Sequence, residues 1–513
     1  MCVVFANGLE ETAMRVLLIE PKYGFERVSA WIPIGKACLA GVLRANGFDV
    51  RILDNALTNP TDEQLVAAIR EYEPDIVATG GMTLQFNDMK RIARLTRQSC
   101  GSNVLLVGGG VHLTVRPDDG LDHFDFVVIG EGETTLLELC NAYAQQRYKE
   151  SESFGGIAGL CFKSERGEII RTEPRDFIYD LDRLPLPAYD LLAIEEYHDF
   201  LVTGQKAMSI LTGRGCPYNC EFCASPMLSQ RKVRHFSLEY TLTLMEHLIE
   251  RYGCSNFRIM DDTFASDKKR VVRFCEEVRK RGLQLNMTCL THVRTCDPDM
   301  LREMRRSGFS IVALGIESGN DRILKLINKG VSREDAILSI RHAKEAELMV
   351  EGLFMMGNIG ETRETIEDSI RFARQYNPPY RGLRRIGFNY FQFATPFPGS
   401  RFFDEANDYG KILSLDYDRY SHQEPVFIPK GLDAPTLIAL RQRAFKEADT
   451  PSLPKALVRL AKKLRKWSAR ITAGSRSHPA GTPARKSGFE VHPKPVSSPS
   501  TAESAEPSPH GAP

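Results

Sequence analysis

Short apolar runs alternate with amphipathic stretches along most of the chain, in two successive blocks. In the first block MRVLLIE, DVRILD, DIVATGG, NVLLVGGG and FDFVVIGEGE read as strands. KACLAGVLRANG, DEQLVAAIREYE, NDMKRIARLTRQ and TTLLELCNAYAQ lie between or after them, with apolar positions at helical spacing. Strand-helix alternation with short connections implies an α/β fold with a parallel sheet covered on both faces. Five strands suit a flavodoxin-like, Rossmann-type order, in which ligands lie beyond the carboxyl ends of the strands. The second block starts at Ala207 and runs through AMSILTG, SNFRIMDD, LQLNMTCLT, SIVALGIESG, MVEGLFMMG and IGFNYFQFA, each but the last followed by a helical pattern.

Between the blocks, GLCFKSERGEIIRTEP reads as a hairpin and DLDRLPLPAYDLL as an extended, Pro-rich connection. After Pro429 a helical pattern through APTLIALRQRAFKEA leads to PKALVRLAKKLRKW, where Leu457, Leu460, Leu464 and Trp467 recur at helical spacing and Lys and Arg crowd the remaining face. Such a helix either packs on the preceding domain or lies on an anionic membrane surface. From Thr472 the chain is rich in Ser, Pro, Ala and Gly and is expected to be disordered.

With 513 residues, 42% hydrophobic and 26% charged, the chain has room for two or three domains of ordinary composition. A net charge of +1 gives no overall case for binding nucleic acid. Twelve cysteines without a charged-then-apolar leader suit a reducing cytoplasm, and no apolar run reaches the length of a membrane span. Localisation is therefore expected to be cytoplasmic, with membrane association through 454–471 as the alternative.

The chemistry concentrates in Arg214-Gly215-Cys216-Pro217-Tyr218-Asn219-Cys220-Glu221-Phe222-Cys223. Three thiolates are what an iron-sulfur cluster with one unfilled iron needs, and the next cysteine, Cys254, is well away. A zinc site is the competing reading, but it wants paired cysteines or added histidines at short range. The spacing, with Phe222 before the last cysteine, resembles the signature of the radical S-adenosylmethionine (SAM) superfamily. That resemblance implies a 4Fe-4S cluster on Cys216, Cys220 and Cys223, SAM chelating the open iron, and cleavage to a 5'-deoxyadenosyl radical. It also implies that the six strand-helix units form a partial (β/α)6 TIM-like barrel, with chemistry at the strand carboxyl ends.

RIMDDTFASD, with Asp261 and Asp262, lines the SAM pocket in that family, although helix capping explains one aspartate equally well. LGIESGNDRILKLINKG puts Glu317 and Ser318 where relatives contact SAM, and Arg294 matches a position that grips its carboxylate. The expected SAM-binding residues are Phe222, Asp261, Arg294, Glu317 and Ser318.

Glycines collect at the strand ends of the first block: Gly80 and Gly81, Gly108 to Gly110, and Gly130 with Gly132. Isolated glycines mark turns, but three adjacent loops suggest a large, flat ligand. VGGGVHLT followed by IGEGE resembles the cobalamin-binding domain found ahead of some radical SAM cores. The matching positions are Thr79, Gly80, Gly81, Thr83, Gly108, Gly109, Gly110, His112, Thr114, Glu131, Gly132 and Glu133. The Asp-x-His-x-x-Gly motif of other cobalamin proteins is absent, which implies cobalt without a histidine lower ligand. A flavin domain would want aromatic residues in these loops, and they hold few.

The resemblance thus implies a cobalamin-dependent radical SAM enzyme that methylates an unactivated carbon of a small-molecule or lipid-like substrate. A flavodoxin or ferredoxin would be its electron donor. The alternatives are a cyclase of the anaerobic magnesium-protoporphyrin type and, from another class, a cobalamin sensor with a structural cluster. The expected organisation is a non-native extension (1–13), a cobalamin-binding domain (14–147), a linker (148–201) and a radical SAM core (202–430). A helical extension (431–471) and a disordered tail (472–513) follow. Because the first strand pattern begins at Met14, translation is expected to start there. Intact-mass measurement of native protein is expected to find the terminus at Met14 or just after it; a terminus at Met1 or Cys2 overturns this.

Overall fold

The computed structural model describes residues 13–24, 31–145, 154–197, 206–381, 384–385 and 387–448. The N-terminal extension before Ala13, the basic helix expected at 454–471 and the tail lie outside these residues.

The first block forms one sheet in the order β2-β1-β3-β4-β5-β6-β7. Strand β1 (Arg15–Glu20) has four consecutive buried residues, Val16 to Ile19, as a parallel strand covered on both faces requires. At the edge, β2 (Asp49–Asp54) instead alternates, exposing Asp49 and Arg51. Helices α1 (Ile34–Ala45), α2 (Asn55–Thr58) and α3 (Asp62–Tyr72) follow β1 and β2; a capping box between Thr61 and Gln64 starts α3. Beyond β3 (Ile76–Gly80) lie α4 (Phe86–Cys100), β4 (Leu105–Gly109), α5 (Gly110–Val115), β5 (Phe126–Val128) and α6 (Gly132–Ala144).

The linker hairpin does not stand apart. Its strands β6 (Leu160–Lys163) and β7 (Ile169–Arg171) add to β5 in antiparallel register, covering what would be an exposed sheet edge.

The second block is a six-stranded parallel sheet in the order β17-β14-β13-β12-β11-β8. It opens with β8 (Met208–Ile210) and a short ladder, β9 (Gly213–Arg214) with β10 (Arg234–His235). The remaining wall is β11 (Asn256–Ile259), β12 (Asn286–Thr291), β13 (Phe309–Glu317), β14 (Met349–Met356) and, after a two-residue hairpin pair β15 (Tyr380–Arg381) and β16 (Arg384–Arg385), β17 (Gly387–Phe393). Helices between the strands cover the outside, giving the partial barrel. The helix Ala434–Ala448 buries Leu437, Leu440 and Ala444 in the same core.

The two blocks share packing. Ile32 just ahead of α1 and Ile34 at its start, with Tyr189, Ile194 and Tyr197 of the connection, join Met208 and Ile210 of β8 in one hydrophobic cluster. Burial of this kind stabilises by about 1.5–3 kcal/mol per large apolar side chain, so the connection is a fixed spacer.

At the carboxyl edge of the first sheet the loops after β3 and β4 touch backbone to backbone. Gly110 has φ +85°, and a Cβ there would lie 2.5 Å from the Gly81 nitrogen. Gly110→Ala is therefore expected to cost more than about 1 kcal/mol in urea denaturation, through both the strained dihedral and the clash.

Candidate functional site

The cysteine loop leaves β9 at the mouth of the barrel. Its backbone is held from several sides: Gly215 N donates to Asp262 Oδ2 (3.2 Å), Glu221 N to the Ile327 carbonyl (3.0 Å) and Asn328 Nδ2 to the Asn219 carbonyl (2.9 Å). Cys216, Cys220 and Cys223 are free and half-buried. Burial raises all three thiols, Cys220 to about 12 and Cys223 to about 11, while the nearby Lys329 charge works the other way. Three soft donors on one short loop suit a metal centre, where coordination would remove their protons. Among the described residues no three His, Cys, Asp or Glu converge on a single-ion site. A cluster does not require that, since each of its irons takes one thiolate.

Around the loop sit the strand ends. Glu317 closes β13 with φ +65°, beside a register shift at Gly315, a left-handed conformation that costs a residue other than glycine of order 1 kcal/mol. Its carboxylate accepts from Lys329 Nζ at 2.9 Å, both groups being buried. Burial would lower the Lys329 ammonium, but the charges of Glu317 and Cys220 outweigh it and raise it. Ser318 is buried against Ser369 (Oγ to Oγ 3.3 Å), and Phe222 packs between the Phe402 and Ile323 clusters.

Asp261 is fully spoken for. Its Oδ1 accepts from the backbone of Thr212 (2.7 Å) and Gly213 (3.1 Å), and its Oδ2 accepts from the Thr212 hydroxyl (2.5 Å). Burial pushes its carboxyl up to about 6 against those hydrogen bonds. It thus fixes the turn from which the cysteine loop springs. Arg294 is exposed at the end of β12.

At the edge of the first sheet lies a cavity of about 400 Å³. Of the residues expected there, Thr79, Gly80, Gly81, Gly108, Gly109, Gly110, Gly132 and Glu133 line it; Thr83, His112, Thr114 and Glu131 do not. His112 is wholly buried behind the loop. Its Nδ1 lies 3.2 Å from Thr83 Oγ1, its Nε2 3.3 Å from Asp119, and its ring packs on Phe86 and Tyr417. Burial pushes it down to about 4 in spite of Asp119. Thr114 ties two loops together, donating to the Gly110 carbonyl (2.9 Å) and accepting from Gly130 N (3.0 Å).

Gly35, in the first turn of α1, also lines the cavity, and a Cβ there would meet no protein atom. The fold does not need glycine at that point, and the space beside it belongs to the cavity. The cavity's size and its mostly glycine and aliphatic wall suit part of a flat cofactor.

Glu131 faces the barrel instead. Arg214 Nη1 donates to its Oε1 (3.0 Å) and Arg234 Nη1 to its Oε2 (2.8 Å), while Arg214 Nη2 reaches Glu133 Oε1 (2.5 Å). All four side chains are at most 15% exposed. Burial would raise the Glu131 carboxyl, but the hydrogen bond from Arg234 and the charge of Arg214 outweigh it and hold it below its ordinary value. Arg214 stands two residues before Cys216, and Glu133 is on the cavity wall. One ion network therefore clamps the cysteine loop to the cavity. Sequence reasoning missed Arg214, Arg234 and Lys329; the adjacency of Arg214 to the first cysteine was the one available signal.

Residues 23–140 match the B12 binding domain and residues 210–373 the radical SAM superfamily. The chain is 31% identical over 439 residues to an uncharacterized methyltransferase, PH0819, of Pyrococcus horikoshii, covering 84% of this chain and 92% of that protein. It is 29% identical over 435 residues to the anaerobic magnesium-protoporphyrin IX monomethyl ester cyclase of Rubrivivax gelatinosus, covering 83% and 75%. The radical S-adenosylmethionine methyltransferase TsrM from Kitasatospora setae, solved with cobalamin and a 4Fe-4S cluster bound, superposes with a TM-score of 0.65. That match covers 86% of this chain and 92% of that one at 18% identity, a likeness of fold.

Arg214→Leu leaves Glu133 buried without its partner and is expected to cost about 3–5 kcal/mol in chemical denaturation. Arg214→Leu with Glu133→Leu removes both charges, keeps the Glu131–Arg234 pair, and is expected to recover most of that loss. Because the folded Glu131 carboxyl titrates below its ordinary value, its contribution is complete above the ordinary glutamate range. That contribution disappears as pH falls through the depressed value. Glu131→Gln is expected to flatten the acid limb of a stability-against-pH curve.

Proposed function

This chain belongs to the cobalamin-dependent radical SAM methyltransferase family, and from that premise we propose that it methylates an unactivated carbon of a small-molecule or lipid-like substrate. It is an enzyme whose cofactors are a 4Fe-4S cluster, SAM and cobalamin. The observation that carries the reading is the clamp: Arg214 at the root of the cysteine loop is ion-paired to Glu133 on the wall of the glycine-lined cavity.

When bound, these cofactors supply radical generation and a transferable methyl group. The chain's part is to hold both at one chamber and keep water out. We assign the cluster to the thiolates of Cys216, Cys220 and Cys223, and the cobalamin tail to the cavity bounded by Thr79 to Gly81 and Gly108 to Gly110. The Glu317–Lys329 pair and Ser318 would bind polar groups of SAM, with Phe222 packing beneath and the exposed Arg294 meeting its carboxylate. Asp261 would act indirectly, by fixing the Thr212-Gly213 turn. A one-electron donor such as flavodoxin or ferredoxin belongs to the same proposal, as does membrane contact through 454–471 to reach a lipid-like substrate. Among the described residues no helix is long and apolar enough to cross a membrane.

The likeness to the Rubrivivax gelatinosus cyclase supports a second reading, radical ring closure with the same cofactors. Anaerobically reconstituted protein with SAM and a reductant is expected to form 5'-deoxyadenosine, and Cys220→Ala is expected to abolish it. Mass spectrometry of the converted substrate is expected to show the gain of one methyl group. A product without it favours the cyclase, and failure to form any 5'-deoxyadenosine counts against both readings.

A further inference from the structure

The cavity holds one charged pair that the proposal above leaves unused. Lys36 lies on the stripe of α1 shared with Ala40 and Leu43, both buried, and is itself 7% exposed. Its Nζ donates to the Gly80 carbonyl at 2.6 Å and lies 3.2 Å from Glu20 Oε2. Glu20 in turn accepts from Gln85 Nε2 at 2.7 Å on its other oxygen. Lys36, Glu20 and Gln85 all line the cavity, beside the aliphatic side chains of Leu18, Val107 and Leu136.

A buried ion pair is a poor way to stabilise a fold, since apolar residues of similar volume do as well or better. A role toward a ligand explains it. An ammonium has three N–H donors, and the two partners here leave one for a group inside the cavity. The adjacent carboxylate cancels the charge, so the pair does not favour an anion; it suits a neutral acceptor. The aliphatic wall and the space left by Gly35 suit a flat ring. An aromatic heterocycle with an acceptor ring nitrogen combines these properties.

We propose that the Lys36–Glu20 pair reads the ring nitrogen of the base that ends the cobamide's nucleotide tail. This rests on the assignment of the cavity to cobalamin. A base bound to cobalt would have no lone pair to offer Lys36. In the cavity it has one.

The test is corrinoid binding to the purified apoprotein, read by the visible spectrum and by corrinoid retained on gel filtration. Three probes separate the parts: cobalamin, cobinamide with no nucleotide tail, and a phenolyl cobamide whose aromatic base has no ring nitrogen. The ratio of cobalamin to phenolyl cobamide affinity is expected to be about tenfold higher in wild type than in Lys36→Met, the worth of one charge-assisted hydrogen bond. Lys36→Met is expected to leave cobinamide binding unchanged. Because the single variant strands Glu20, Lys36→Met with Glu20→Leu is measured beside it and is expected to bind the three probes as the single variant does. Undiminished preference for cobalamin over the phenolyl cobamide in the folded double variant overturns the proposal. Wild type binding cobinamide as tightly as cobalamin overturns it while leaving a corrinoid site in place. Wild type binding none of the three removes the cobalamin assignment itself.

Discussion

Two arginines set opposite each other are the constraint on which this molecule turns. Arg214 of β9 pairs directly with Arg234 of β10, and like charges at paired positions of a two-stranded ladder repel. Glu131 resolves the conflict by giving one carboxylate oxygen to each guanidinium, while Glu133 takes the second arm of Arg214. Both glutamates come from the N-terminal domain, Glu131 from the loop after β5 and Glu133 from the first turn of α6. The stem of the cysteine loop is therefore electrostatically complete only when the N-terminal domain is docked on the barrel.

That dependence gives the inter-domain geometry a chemical purpose. Under the proposed function, the residues that would hold the cluster and those that would hold cobalamin have to stay in register around one substrate, and proximity of this kind is lost with small displacements. A hydrophobic contact such as that of Ile32 and Tyr197 with Met208 fixes distance but tolerates sliding. Charge-assisted hydrogen bonds from forked guanidiniums do not. The strained backbone at Glu317 and the buried Lys329 beside it show the same economy at the barrel mouth, where polar groups are kept in costly positions around the three cysteines.

Much of the fold was legible along the chain. Short apolar runs such as RVLLIE, bounded by charged residues and followed by helical patterns, read as central strands, and all six strands of the second block lie where the pattern put them. The hairpin of the connection was legible as a hairpin, but not as the sixth and seventh strands of the first sheet, because pairing partners leave no local mark. The loops proved harder. His112 sits between two glycine-rich turns and reads as a ligand contact, yet burial behind Phe86 and Tyr417 takes it off the cavity wall. Lys36 carried a signal that is plain in hindsight, a lysine on the apolar stripe of its helix.

What the sequence by itself determined was periodicity and donor chemistry: strand-helix alternation in two blocks, and three soft thiols on one short loop. Both are local, since side-chain direction follows from spacing along a helix or strand, and the type of ligand atom follows from the residue. Only the tertiary structure decided which charges meet. Glu131 and Arg234 are separated by more than a hundred residues, and nothing near either one indicates the other. The same holds for Lys36 with Glu20 and Gly80, which come together because parallel strands bring their carboxyl ends to one edge. Ion pairs and cavity walls are made between distant segments, so their partners appear only when the chain is folded.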